Sequence, residues 1–133
     1  MNETLARQLV AARSGGTCEL CRTTAATNWA HRVPRGQGGK WAPSNGLHLC
    51  GSGTTGCHGW SERNRFASYA SGWLLKSSED PLVVPTWIQP SHLPRGWYLL
   101  DDDACFVWVD HVTAGLPEIP AELPPWIPVK RPL

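Results

Sequence analysis

Two pairs of cysteines constrain this chain more than anything else in it. Cys18 and Cys21 form a Cys-x-x-Cys turn, and Cys50 and Cys57 form a second pair with six residues between them, Gly51, Gly53 and Gly56 included. Two close pairs supply four corners of a tetrahedron around a soft ion while closing only short loops, and zinc is the usual occupant of such a thiolate set. The glycines let the backbone fold back sharply around the ion. Four thiolates leave no open coordination position, so the zinc is expected to be structural. The second spacing is wider than the usual two to four or so, and four unconnected buried thiols are the alternative. Cys105 falls in an apolar strand candidate and is expected in the core.

The remaining composition narrows the setting. At 133 residues the chain fits one domain with a modest core, which a metal staple would help. No apolar run approaches the ~20 residues needed to span a bilayer, and the N-terminal stretch carries Glu3 and Arg7 where a signal peptide is apolar. A cytoplasmic location without a membrane partner is expected, where reducing conditions favour metal over disulfides. Formal net charge is only +1 but unevenly spread. Between Glu19 and Glu62 there is no acidic residue, while Arg22, Arg32, Arg35 and Lys40 lie there; from Glu79 to Glu122 eight acids face the single base Arg95. The first half is therefore expected to face phosphate and the second to repel it, with ordinary solvated charge as the alternative.

Local signals give an α+β reading. Residues 2–13 predict a helix, with Leu5, Leu9 and Ala12 at helical spacing, Asn2 as cap and Gly15-Gly16 as stop. Strands are expected over 27–33 and 47–50, separated by a glycine-rich loop over 34–39 and a turn at Asn45-Gly46. A helix is expected over 58–71, with Trp60, Phe66, Tyr69 and Ala70 as its apolar positions and Gly72 as its stop. Short apolar runs follow at 73–75, 82–84, 97–100 and 106–109, the last two joined by a hairpin turn at 101–103. They read as a β extension (73–112) on a core (17–72), together one domain over 1–112. Recurrent prolines make 113–133 an extended tail. Trp29, Trp60 and Trp73 are expected around the cysteines, and Trp41 is expected in core packing or stacked on a base.

The segments AHRVPRGQGG (30–39), PSNGLHLC (43–50) and GCHGW (56–60) resemble the HNH endonucleases, and among them small phage-encoded members with a cysteine knuckle. The resemblance covers 17–62 and extends to the later GW, DP and LLDDD motifs. It implies a ββα-metal core with structural zinc, an N-terminal helix and a short β extension. The implied activity is metal-dependent hydrolysis of DNA phosphodiester bonds, in the host cytoplasm if the chain is phage-encoded, and the implied partner is the terminase large subunit of genome packaging. His31 matches the general base, a role that a neutral imidazole suits. Asn45 matches the residue that holds the base in place, although an Asn-Gly turn needs no such role. His58 matches the ligand of a catalytic Mg²⁺, Mn²⁺ or Ni²⁺; a helix cap, or a zinc ligand replacing Cys57, is the alternative. Arg32, Arg35 and Lys40 flank the base and are expected to contact DNA phosphates. Many members carry Asp or His just before the base as a metal ligand, where this chain has Ala30. Glu62, one helical turn after His58, is the expected replacement, an exposed helical Glu being the alternative. Ala30 favours the rival reading, a catalytically weak zinc-stapled nucleic-acid-binding or adaptor module.

Overall fold

In a computed structural model that describes residues 1–129, the chain opens with helix α1 (Glu3–Ser14). Asn2 accepts a hydrogen bond from the Leu5 amide at 2.9 Å, and Gly15, left-handed at φ 66°, donates its N–H to the Ala11 carbonyl. The buried face is not the expected leucine stripe: Ala6, Val10, Arg13 and Ser14 point inward, while Leu5 is 44% exposed. The cause is polar. The Arg13 guanidinium binds the Glu19 carboxylate at 2.8 and 3.0 Å and the carbonyls of Pro43 and Gly46, so a buried ion pair docks the helix.

Strands β1 (Asn28–His31) and β2 (Gly46–Leu49) pair antiparallel, Asn28 opposite Leu49 and His31 opposite Gly46. Side chains alternate across the pair. Ala30, Leu47 and Leu49 enter the core. Trp29 and His31 share the other face with His48, whose ring meets Ser14 of α1 at 2.6 Å. Gly46 is small of necessity, because a Cβ there would run into the Trp29 ring.

The helix expected over 58–71 is two helices, α2 (Gly56–Arg63) and α3 (Arg65–Ala70). They break at Asn64, whose ψ of 61° leaves the helical region and whose side chain takes the Trp60 carbonyl at 2.8 Å. The break turns Phe66 out to 88% exposure. Strands β3 (Thr86–Ile88), β4 (Gly96–Leu100) and β5 (Phe106–Trp108) form an antiparallel meander, its last turn held by the Asp101 carboxylate on the amides of Asp103 and Cys105. Two expected strands are absent. Residues 73–75 leave α3 as buried irregular chain, the amides of Trp73 and Leu74 both returning to the Ser68 carbonyl, and 82–84 is a turn capped by Asp80.

One core runs from the cysteine turns through both sheets to the tail. The four paired cysteines, Leu20, Trp73, Trp87, Ile88, Trp97, Tyr98 and Leu100 pack together, and the tail contributes Ile127, with Leu116, Ile119, Leu123 and Val129 against it. The tail's last residues, 130–133 with Pro132, lie outside the described residues. Cys105, expected in the core, is exposed just before β5. Among the described residues no helix is long and apolar enough to cross a membrane.

Candidate active site and metal centre

Cys18, Cys21, Cys50 and Cys57 are buried, are not joined in disulfides, and bring their sulfur atoms within 4.8 Å of one another. A tetrahedron of 2.3 Å zinc–sulfur bonds has edges of about 3.8 Å, so the set fits a soft four-coordinate ion after a small contraction. Gly51 and Gly56, at φ 87° and 63°, bring their Cα atoms so close that a Cβ on either would overlap the other's backbone, and this closes the turn between the second pair. Cys18 is held down to about 5 chiefly by the hydrogen bond from Cys57, whose own thiol is pushed up by donating it. The cluster therefore already favours a thiolate. Two unforeseen groups face it. Arg95 donates to the Leu20 carbonyl and feels the cluster's negative charge, and the Trp126 indole N–H donates to Cys57 Sγ at 3.2 Å.

His58 is not part of this set. Its amide donates to the Cys50 carbonyl at 3.1 Å, so the knuckle sets where α2 begins, but its ring faces elsewhere. Nδ1 lies 3.0 Å from Asn28 Oδ1 on β1, and Nε2 lies 3.6 Å from Glu62 Oε1 one turn along α2. Ligand atoms about 2.1 Å from one ion sit about 3 to 4 Å apart, so this nitrogen and carboxylate oxygen fit a hard divalent cation that keeps water in its other positions. Glu62 is half exposed and also lies 3.7 Å from Arg65. Ala30 adds no ligand; it is buried in the core.

His31 ends β1 on the opposite face from Asn28 and three residues, about 10 Å, along the strand. The structure therefore unites His58 with Glu62 and sets His31 apart from them. Its ring lies against Trp29 and, edge-on at 4.4 Å, against Trp41. Nε2 is buried without a partner, which leaves Nδ1 as the atom that can meet water. Burial, then the charges of Arg35 and Arg7, push its pKa below the ordinary 6.5, so the ring is neutral near pH 7. Trp29 belongs to this aromatic group and not to the cysteine core, whereas Trp60 and Trp73 do pack there.

Asn45 clasps the loop that follows His31. Its Oδ1 accepts from the Val33 amide at 2.7 Å, and its Nδ2 donates to the carbonyls of Val33 and Lys40 at 3.1 and 3.0 Å. The loop presents Arg35 and Lys40 to solvent, with the Arg35 guanidinium 5.5 Å from the Trp41 ring. Arg32 does not join them, which corrects its expected phosphate contact. It is fully buried, and its guanidinium donates to the carbonyls of Ser44, Gly72, Pro81 and Val84 at 2.7–3.0 Å. A single arginine in a basic sequence stretch looks like surface; its four acceptors come from segments that only the fold assembles. Arg7 of α1, 4.7 Å over Trp41, is a cation near His31 that was not singled out from sequence. Asn28 was missed as well, since nothing in its local sequence marks it. The chain matches no protein-family model, no curated protein and no solved structure.

Proposed function

We propose that the chain is a metal-dependent endonuclease of the HNH type, hydrolysing DNA phosphodiester bonds, with zinc in the four-cysteine site as a structural ion. The observation that carries this reading is the His58–Glu62 fork at 3.6 Å on a helix whose start the cysteine knuckle sets. In-line displacement at phosphorus places the attacking water and the departing oxygen on opposite sides, so the base and the leaving-group stabiliser must be separated. On this reading a scissile phosphate would have to be reached by His31 on its attacked side and by the fork on its leaving side. His31 accepts the proton of the attacking water at Nδ1, while Asn45 fixes the loop that carries Arg35 and Lys40 to the phosphate backbone. A divalent cation at the fork would offset charge on the phosphate and stabilise the 3′ oxygen as it leaves. Phage genome processing beside terminase is the setting the resemblance implies. The rival reading, a zinc-stapled nucleic-acid-binding or adaptor module without catalysis, draws on the buried Ala30 in place of a ligand.

Plasmid nicking with Mg²⁺, Mn²⁺ or Ni²⁺ tests this. The wild type should nick, and His31→Ala should lose ~10²–10⁴-fold of the rate with zinc content and folding intact. Because the base must be neutral and its pKa is lowered, the rate should fall only as pH drops below the ordinary histidine range. Nicking by His31→Ala at the wild-type rate would remove His31 from the mechanism, and a wild type that binds DNA without nicking favours the adaptor.

A further inference from the structure

His58 can serve as a ligand only if the correct ring nitrogen is free, and a neighbouring amide decides which one that is. Asn28 Nδ2 lies 2.5 Å from the Gly51 carbonyl and 3.0 Å from Thr27 Oγ1. A carbonyl can only accept, so the amide nitrogen of Asn28 must face it, and this fixes the side chain without ambiguity. Oδ1 is then the atom 3.0 Å from His58 Nδ1, and since Oδ1 can only accept, Nδ1 must carry a proton. In the neutral ring the lone pair is therefore on Nε2, the nitrogen turned toward Glu62 Oε1. Two acceptors facing each other at 3.6 Å repel unless something positive lies between them.

We propose that Asn28 is a positioning residue for a hard divalent cation: it locks His58 in the Nδ1–H form and presents Nε2, paired with the Glu62 carboxylate, as a preformed two-ligand fork. The inference rests on the nuclease reading of His58 and Glu62 and adds the group that orients the ligand. It also links the two metal centres. Gly51, which orients Asn28, lies in the turn between Cys50 and Cys57, so the thiolate knuckle sets the Asn28 amide, the amide sets the imidazole, and the imidazole faces the second ion. Hydrogen bonds to the far nitrogen of a ligating histidine fix the tautomer and raise ligand basicity, and their loss typically weakens metal binding by about 10–100-fold. The competing arrangement has no ion: a proton on Nε2 as well, making an imidazolium that pairs with Glu62.

The test uses the full zinc-loaded chain and Mn²⁺ as probe. Long-range ¹H–¹⁵N spectra at neutral pH should show His58 as the Nδ1–H tautomer with Nε2 unprotonated. Mn²⁺ should broaden the His58 signals at concentrations that leave His92 and His111 untouched. Asn28→Leu should give mixed tautomers and weaken Mn²⁺ binding about tenfold or more, with zinc content unchanged, and Asn28→Asp, which keeps an acceptor for Nδ1 but loses the donor to the Gly51 carbonyl, should recover only part of the affinity. The proposal is overturned by an Nε2–H or doubly protonated His58 in the wild type, by a wild type that binds no Mn²⁺ there, or by Asn28→Leu binding it as tightly as the wild type. The tautomer is read in the unmutated protein, so a poorly folded variant does not decide the matter. Asn28-dependent Mn²⁺ binding in a chain that nicks no DNA would uphold this inference and refute the nuclease reading.

Discussion

The cysteine cluster and the Arg32 clasp do the same work by different means. Each ties together segments far apart in sequence through buried polar atoms. The cluster joins the turn after α1, the end of β2 and the start of α2. The clasp joins the end of β1 to the carbonyls of Ser44, Gly72, Pro81 and Val84. The clasp is complete within the chain, for one guanidinium meets four carbonyls with nothing added. The cluster is not: its four sulfur atoms lie within 4.8 Å of one another with Cys57 donating to Cys18, and as four thiolates they would call for a cation among them. One tie thus calls for an ion and the other does not, and His58 lies beside the first. The Asn45-clasped loop lies on the other, since Arg32 bonds the carbonyl next to Asn45.

Removing zinc should break the comparison most severely. Structural zinc contributes on the order of 10 kcal/mol of apparent folding free energy, comparable to the 5–15 kcal/mol or so that holds an average domain together. Chelation of the purified protein should therefore abolish its cooperative thermal transition, as followed by near-ultraviolet circular dichroism of its tryptophans. A chelated chain that keeps that transition would show that the arginine clasps alone suffice.

The two anchors also differ in how far the sequence discloses them. The cysteines are legible because a metal site needs particular atoms at short spacing, and both pairs are local. The same holds for the caps of α1, which Asn2 and Gly15 mark, and for the hairpin at Asp101. Arg32 and the Arg13–Glu19 pair are opaque for the opposite reason. Charged residues are usually exposed, and what buries these two is a set of carbonyls brought together from several loops. The inward face of α1 was misread because Arg13 decides it, and leucine periodicity does not. The break at Asn64 and the short strand β3 depend on a side-chain hydrogen bond and on sheet pairing that local propensity does not encode. In the candidate site, the sequence singles out the histidines by their resemblance and Glu62 by its helical phase, whereas Asn28 and Arg7 are brought beside them only by the fold.

Arg32→Met is the matching attack on the other anchor. It keeps volume but leaves four carbonyls without their donor in a buried setting, and at about 1–3 kcal/mol for a buried acceptor left unsatisfied the total should reach about 3–5 kcal/mol. For a chain of this size that corresponds to a fall in Tm of roughly 10–20 °C. Arg32→Lys should recover little, because an ammonium lacks the planar fork that reaches several acceptors. Zinc release to a chelator under native conditions should stay close to the wild-type rate, since none of the four acceptors belongs to the knuckle. Faster zinc release in Arg32→Met would mean that the two anchors are one cooperative unit.

The smallest expected effect probes the hydrogen bond that the tail gives to the cluster. Trp126 is 45% exposed, so its apolar burial is partial, yet its indole N–H points at Cys57 Sγ from 3.2 Å. A donor to a thiolate withdraws negative charge from the sulfur and makes a four-thiolate ion site easier to sustain. Trp126→Phe keeps an aromatic body against the core and deletes the donor alone. A single exchangeable hydrogen bond at a half-exposed residue contributes about 1 kcal/mol, so Tm should move by only a few degrees. The rate of zinc release to excess chelator should rise more clearly, because that rate senses the sulfur directly and Tm averages over the whole fold. Neighbouring Ile127 supplies the control: it is buried in the core but makes no contact with sulfur through a donor, so Ile127→Ala should lower Tm more than Trp126→Phe does and leave zinc release less affected. If the two substitutions change both measurements in the same proportion, the tail serves only as packing, and the zinc site owes nothing to the indole.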